Sequence, residues 1–192
     1  MKDIRLHIGC GNRILEGWVN IDKSSSLDLP IEVYAGDITD LNEIVGPSGV
    51  EIIPDGSVEL IYASHVLDHL SRKEELDRAL SECYRVLKPE GILRVSVSDF
   101  ERVATMYNEG MDLEKLWGHI VGGHKTEHDK HGCVFDYNVL KRYLEKHGFK
   151  DIKKYDYKKF LPKEFDDLSQ CYIPHLDKKN GILMALNVEA KK

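Results

Sequence analysis

Ile4-Arg5-Leu6-His7-Ile8-Gly9-Cys10-Gly11-Asn12 is the stretch whose reading decides the fold. Ile4 to Ile8 reads as a short strand that runs straight into Gly9-Cys10-Gly11, a turn chemistry that permits unusual backbone angles. A Gly-x-Gly pair alone marks many turns, and its position directly after a first strand is what gives it meaning. There the backbone can approach a ligand closely and present its amides. Trp18 to Ile21 reads as a second strand closing on Asp22, where a carboxylate can accept hydrogen bonds from both ribose hydroxyls. The competing role for Asp22 is the cap of a turn. Two features argue against a nicotinamide dinucleotide: Ile14 replaces the third glycine of the fingerprint, and Asp22 lies thirteen positions after Gly9 where that fingerprint wants about twenty. A nucleoside with a small zwitterionic tail and no pyrophosphate suits so short a crossover better.

Working outward, Ile31 to Ala35 reads as a third strand closing on Gly36-Asp37, and Val58 to Ala63 as a fourth after the turn signal Pro54-Asp55-Gly56. Ser71-Arg72-Lys73-Glu74 has the form of a capping box. Behind it Leu76, Leu80, Cys83, Tyr84 and Leu87 recur at helical spacing until Lys88-Pro89-Glu90-Gly91 ends the pattern. Ile92 to Val97 follows as a fifth strand. Asp136 opens a second helix with Leu140, Tyr143 and Leu144 as its stripe and Gly148 as its stop. Phe149 to Phe160 and Ile182 to Val188 read as two final strands. Strands alternating with helices predict a doubly wound α/β domain with a mostly parallel sheet, helices on both faces and ligands at the carboxyl ends of the strands. A single domain over residues 1–192 is expected, with residues 109–134, which lack a clear period, inserted over those strand ends.

Composition narrows the function classes. Apolar residues at 42% and charged residues at 31% fit a globular chain and argue against disorder or a membrane protein. The segment from Met1 to Arg5 has neither the apolar stretch nor the cleavage site of a signal peptide, which predicts a cytoplasmic protein. A net charge of −6 argues against a nucleic-acid partner. Lys153, Lys154, Lys158 and Lys159 are interrupted by Asp151 and Asp156 and read as a solvated strand edge. Cys10, Cys83, Cys133 and Cys171 contain no C-x-x-C pair, so neither a zinc ribbon nor a redox motif is indicated.

Five segments in order, Leu6 to Asn12, Gly17 to Asp22, Gly36 to Ile38, Ser64 to His69 and Leu87 to Gly91, resemble the class I S-adenosylmethionine-dependent methyltransferases. The likeness is greatest to the small bacterial and archaeal branch with a shortened first crossover. It covers Ile4 to Phe100 and resumes from His131 to Phe149. The resemblance implies a Rossmann-like seven-stranded sheet ending in an antiparallel hairpin, and S-adenosylmethionine as cofactor. It implies that Gly9 and Gly11, with Cys10 between them, line the methionine moiety, and that Asp22 holds the ribose. Asp37 and the Ile38 amide would read the adenine, with Ser64 and His65 lining the site after the fourth strand. Asp68 departs from the Glu common in the family's H-V-L-E-H stretch, and the shorter side chain suits a local cap or salt bridge better than a catalytic duty.

Methyl transfer from a sulfonium is an in-line displacement on an activated group, so holding donor and acceptor in line supplies much of the acceleration. An oxygen or nitrogen acceptor can still require proton removal, for which His65, Asp99 and His131 are the candidates. Their competing roles are a packed pocket wall, a helix N-cap and a loop residue bonded to backbone, respectively. His119, His124, His128 and His131 raise a metal reading, but they match no recognised ligand spacing, and Glu127 and Asp129 fit a polar loop equally well, so no metal is expected. Gly118 to His131, with Gly122-Gly123 as hinge, reads instead as a cover over the acceptor. The expected function is methyl transfer to a small-molecule or glycan-precursor acceptor. The alternative is a noncatalytic binder of S-adenosylmethionine or S-adenosylhomocysteine, and a nicotinamide enzyme ranks third.

Overall fold

A computed structural model of the chain describes residues 4–23, 33–46, 49–71, 74–124, 129–175 and 177–192. The strands of the first half are β1 (Ile4–Ile8), β2 (Val19–Asp22), β3 (Val33–Asp37), β4 (Asp40–Gly46), β5 (Gly49–Glu51) and β6 (Val58–Ser64). Those of the second half are β7 (Leu87–Ser98), β8 (Lys150–Lys154), β9 (Tyr172–Ile173), β10 (Ile182–Leu183) and β11 (Ala185–Lys191). The helices are α1 (Glu75–Val86), α2 (Phe100–Asn108), α3 (Trp117–Val121) and α4 (Tyr137–Lys146).

Nine of these strands form one sheet in the order β5-β4-β3-β2-β1-β6-β7-β11-β8. The run from β3 to β7 is parallel throughout, and β11 inserts antiparallel between β7 and β8. This is the expected seven-stranded arrangement with its antiparallel end, extended past β3 by the antiparallel pair β4 and β5. That pair carries no strand signal in the sequence because Leu41 and Ile44, its buried residues, stand three positions apart instead of two. A separate two-stranded hairpin joins β9 to β10.

The helix boundaries follow local chemistry. Asp136 caps α4 by accepting from the Val139 amide at 2.7 Å, and Gly148, at φ 92°, ends it. At α1 the box is shifted by one residue: Glu75 accepts from the Ser71 amide at 2.7 Å, and the N-cap Glu74 makes no capping bond. Arg72 and Lys73 of that box lie outside the described residues, as does Ile31 at the start of the third predicted strand. The fifth strand begins five residues early, at Leu87, because Leu87 pairs with Val58 and Ile92 with Leu60, leaving Lys88 to Gly91 as a register shift within one strand. The long strand expected from Phe149 ends at Lys154 and gives way to a 3-10 turn at Tyr157–Lys159.

Period two divides the sheet between two cores. Leu6, Ile8, Ile61 and Ala63 face one side, where Leu76, Leu80 and Cys83 of α1 and Leu140 and Leu144 of α4 cover them. Tyr62 faces the other, where it meets Leu15, Tyr157, Leu161 and Tyr172, with Trp18, Phe160 and Phe165 packed around them. Among the described residues this second face is covered over Tyr62 by irregular chain from 155 to 173 and not by a helix. A first crossover running only from Gly9 to Val19 is too short to supply one, and an apolar sheet face must be buried against something. Tyr62 anchors the cover by donating to Asp167 at 2.6 Å. No helix among the described residues is long and apolar enough to cross a membrane.

Candidate functional site

β1 delivers the chain into a turn with Gly9 at φ +69° and Gly11 at φ +53°, angles that an L side chain rarely adopts. A Cβ on Gly9 would also lie 2.3 Å from Val66 Cγ2, so this glycine is required twice over. The turn does not present all its amides outward. Those of Gly9 and Cys10 donate to the Ile21 carbonyl at 2.8 and 3.2 Å, and that of Gly11 donates to Asp22 Oδ2 at 2.8 Å. The contribution of the glycines is therefore close approach of backbone.

Along the carboxyl ends of β1, β2, β3 and β6 runs a cavity of about 480 Å³, lined among others by Gly9, Asp22, Asp37, Ile38, His65 and Glu75. Asp37 pairs with Lys23 at 2.8 Å and accepts from the Thr39 amide at 2.9 Å. Burial works against its charge, but these partners outweigh burial and hold the carboxyl below its ordinary value. A smaller cavity of about 110 Å³ shares Gly9 and His65 with the first and adds His7, Cys10, Arg13, Ser64, Asp167 and Leu168. Burial, then the Asp22 charge, pushes the Cys10 thiol up to about 12, so it is a neutral wall and no nucleophile.

β6 ends at Ser64, and the chain turns sharply at His65, whose φ of 51° is left-handed. That angle is costly for a non-glycine residue and is held by the His65 amide donating to the Ser96 carbonyl at 2.8 Å. The 3-10 turn Leu67–His69 follows. The His65 imidazole lies 3.1 Å through Nδ1 from Asp68 Oδ2, with side chains 7% and 1% exposed. Burial alone would discharge His65, but Asp68 outweighs it and the imidazole sits above its ordinary value. Burial likewise opposes the Asp68 charge, and His65 overrides it, pulling that carboxyl down. His131 Nε2 lies 3.9 Å from the same carboxylate oxygen, and the His69 and His131 rings meet edge to face at 4.9 Å. Asp68 also accepts, through its main-chain carbonyl, the amides of Gly132 at 2.8 Å and Cys133 at 3.0 Å.

Of the residues singled out by sequence, Gly9, Asp22, Asp37, Ile38 and His65 thus share one cavity, while Cys10 and Ser64 line its smaller neighbour. His131 joins His65 through Asp68. Asp99 lines neither cavity and caps α2 by accepting from the Glu101 amide at 3.1 Å. The histidines of residues 119–131 do not converge on one point: His131 is buried beside Asp68, His119 is half-buried and lowered to about 4 by burial and then by His65 and His131, His124 is exposed, and His128 lies outside the described residues. Asp68 makes the salt bridge expected of it and is the pivot of the group. His7 and Asp167 went unnoticed in the sequence. His7 is out of phase with Leu6 and Ile8 and so faces the second cover, a signal that alternation does contain; Asp167 reaches Tyr62 across 105 positions and has no local signal.

A parallel sheet closed by an antiparallel insertion, with a glycine turn and two acidic residues at successive strand ends, defines the Rossmann-like methyltransferase fold. Residues 6–95 match the family described as methyltransferase domain. Over those residues, a little under half of the chain, the protein is similar to that family. It is 34% identical over 67 residues to the probable methyltransferase ltbC of Aspergillus luteorubrus, a match covering 34% of this chain and 22% of that protein. A solved S-adenosylmethionine-dependent methyltransferase of Thermotoga maritima, described as a possible histamine N-methyltransferase, superposes with a TM-score of 0.57 at 18% identity. That likeness covers 100% of this chain and 83% of the other. A solved methyltransferase of Methanosarcina mazei gives a TM-score of 0.57 at 16% identity, covering 100% and 93%. At these identities the solved structures speak to the fold.

Proposed function

We propose that the protein transfers a methyl group in line from S-adenosylmethionine to an oxygen or nitrogen of a small-molecule or glycan-precursor acceptor. The observation that carries this reading is His65, aimed through Nδ1 at Asp68 and standing between the two cavities with its Nε2 buried, outside hydrogen-bonding geometry but near enough to the Leu168 main chain for that group, after Asp68, to favour a proton on the ring. The cofactor fits the residues present: a cavity of about 480 Å³ suits a ligand of that size, and a side chain at Gly9 would close the turn against Val66. Bound there, S-adenosylmethionine would supply a methyl group already activated on a sulfonium. In this reading Asp22 accepts from the ribose hydroxyls, and Asp37 with Ile38 holds the adenine. Gly9, Cys10 and Gly11 border the methionine end, and Ser64 lies where the two cavities approach each other. Donation from His65 Nδ1 to Asp68 leaves the lone pair on Nε2 to take a proton from the acceptor. In this reading the segment 118–131, of which 125–128 lie outside the described residues, covers the acceptor, and the chain just past it is fastened by the Gly132 and Cys133 amides to Asp68. Asp99 has no proton-transfer role here.

The test is a panel of acceptors screened with the parent protein and then with His65→Gln. Turnover is expected to fall about 10²- to 10⁴-fold while S-adenosylmethionine affinity stays within a factor of about three. Undiminished turnover in a folded His65→Gln variant would remove the base assignment. Tight cofactor binding with no turnover across the panel would favour a noncatalytic binder.

A further inference from the structure

We propose that Asp68, His69 and His131 form a binding site for a first-row divalent cation of the zinc or iron(II) class. Asp68 and His69 come from the turn after β6, whereas His131 comes from the chain returning out of residues 109–134. The two pieces are clamped by the Gly132 and Cys133 amides donating to the Asp68 carbonyl. One ligand atom from each of the three side chains lies within 4.8 Å of the others. Tetrahedral ligands of zinc stand about 3.4 Å apart, so an ion would draw these groups inward, a movement the half-buried His69 side chain can supply.

Two further observations point to a ligand. Asp68 Oδ1 is buried without a hydrogen-bond partner in a carboxylate 1% exposed, and His131 Nδ1 is buried without one in a side chain 6% exposed. Buried polar atoms left unpaired are costly and rare, and an ion bound through Oδ1 would satisfy the carboxylate, with His131 offering Nε2, the nitrogen that faces Asp68. The surroundings are also those of a metal site. His69 Nδ1 lies 3.1 Å from the Lys130 carbonyl, which fixes its proton there and leaves Nε2 as the donor atom. Asp68 Oδ2 is held by His65 and by the Ser98 amide at 3.3 Å, leaving Oδ1 turned to other work. Two imidazoles and one carboxylate, with positions left open, suit zinc or iron(II) better than magnesium or calcium, which prefer all-oxygen cages. Histidine spacing within residues 119–131 does not bear on ligands drawn from two distant segments. Since Asp68 also holds His65, an open coordination position would stand beside the proposed base, take an acceptor oxygen and ease its deprotonation. That consequence rests on the proposed function, whereas the site itself does not.

The full chain, purified without a tag and stripped with chelator, is titrated with Co²⁺ by visible absorption and with Zn²⁺ by competition calorimetry. One saturable equivalent is expected, with Asp68→Asn, His69→Ala and His131→Ala each weakening it about 10- to 100-fold or more. The exposed-residue control His175→Ala should bind like the parent. Circular dichroism confirms folding, and His69→Ala, the least buried of the three, keeps the test informative if the others unfold. Absence of saturable binding in the folded parent, or full binding retained by a folded His69→Ala variant, overturns the site. S-adenosylmethionine affinity measured on the same stripped protein reads the cofactor assignment separately.

Discussion

The two duties that the sequence poses as alternatives for Asp22 are compatible in the structure. Asp22 caps the turn through the Gly11 amide and at the same time lines the larger cavity. A carboxylate so held is pre-positioned for a second hydrogen-bonding group, which is the arrangement a ribose requires. Replacing it with alanine should therefore weaken S-adenosylmethionine binding by about 1–3 kcal/mol. Calorimetry on the folded variant decides the matter, and an unchanged dissociation constant would end the ribose assignment. His65 shows the same economy, since a single left-handed residue turns the chain and aims the imidazole at Asp68.

Elements are joined by contacts of a different kind. Asp77 on α1 receives Lys146 Nζ at 2.8 Å and His147 Nε2 at 2.9 Å from the end of α4, linking the two helices that cover one face. Lys146 first, and His147 after it, hold the Asp77 carboxyl below its ordinary value. A carboxyl depressed in the folded state stabilises above its unfolded value, about 3.9, and that contribution is lost as pH falls through the lowered folded value. The side chain is 34% exposed and Lys146 is more so, so the effect is small, about 0.5 kcal/mol after screening. Asp77→Asn is expected to lower the urea midpoint at pH 7 and pH 5, and the gap from the parent should narrow below about pH 4. A gap independent of pH would show that the ion pairs are not its source.

For the molecule as a whole, the short first crossover has a consequence on the far side of the sheet. Chain from 155 to 173 takes over the cover, and Phe160 is its centre: it meets Tyr62 at 5.4 Å, Trp18 at 6.0 Å and the Arg94 guanidinium at 4.1 Å. Arg94 is in turn bound to Glu189 on β11 at 2.9 Å, so the cover, β7 and the final strand are tied together. Phe160→Ala should cost about 2–3 kcal/mol, somewhat less than a fully buried phenylalanine because the ring is only half-buried. Since the same segment carries Asp167 to the smaller cavity, the cover and the site are one structure. Denaturation with and without S-adenosylmethionine checks this, and a loss under about 0.5 kcal/mol would show the second core to be dispensable.

How far the sequence reaches follows from the range of the interactions involved. The turn after β1, the acids closing β2 and β3, the stripes of α1 and α4 and the cap at Asp136 depend on neighbours within a few positions, and the sequence by itself determined them. The site's left half, Gly9, Asp22, Asp37 and Ile38, was legible for the same reason, because each stands at the end of a strand that its own residues specify. The strands β4 and β5 were not legible, since Leu41 and Ile44 are buried by packing and out of step with a strand's period. Nor was the right half of the site. Asp68 reads locally as a shortened substitute for a glutamate, and only the tertiary structure brings His131 to it across more than sixty positions. The aromatic cover over Tyr62 was decided in the same way, by an exposed sheet face that the short crossover left for a distant segment to bury.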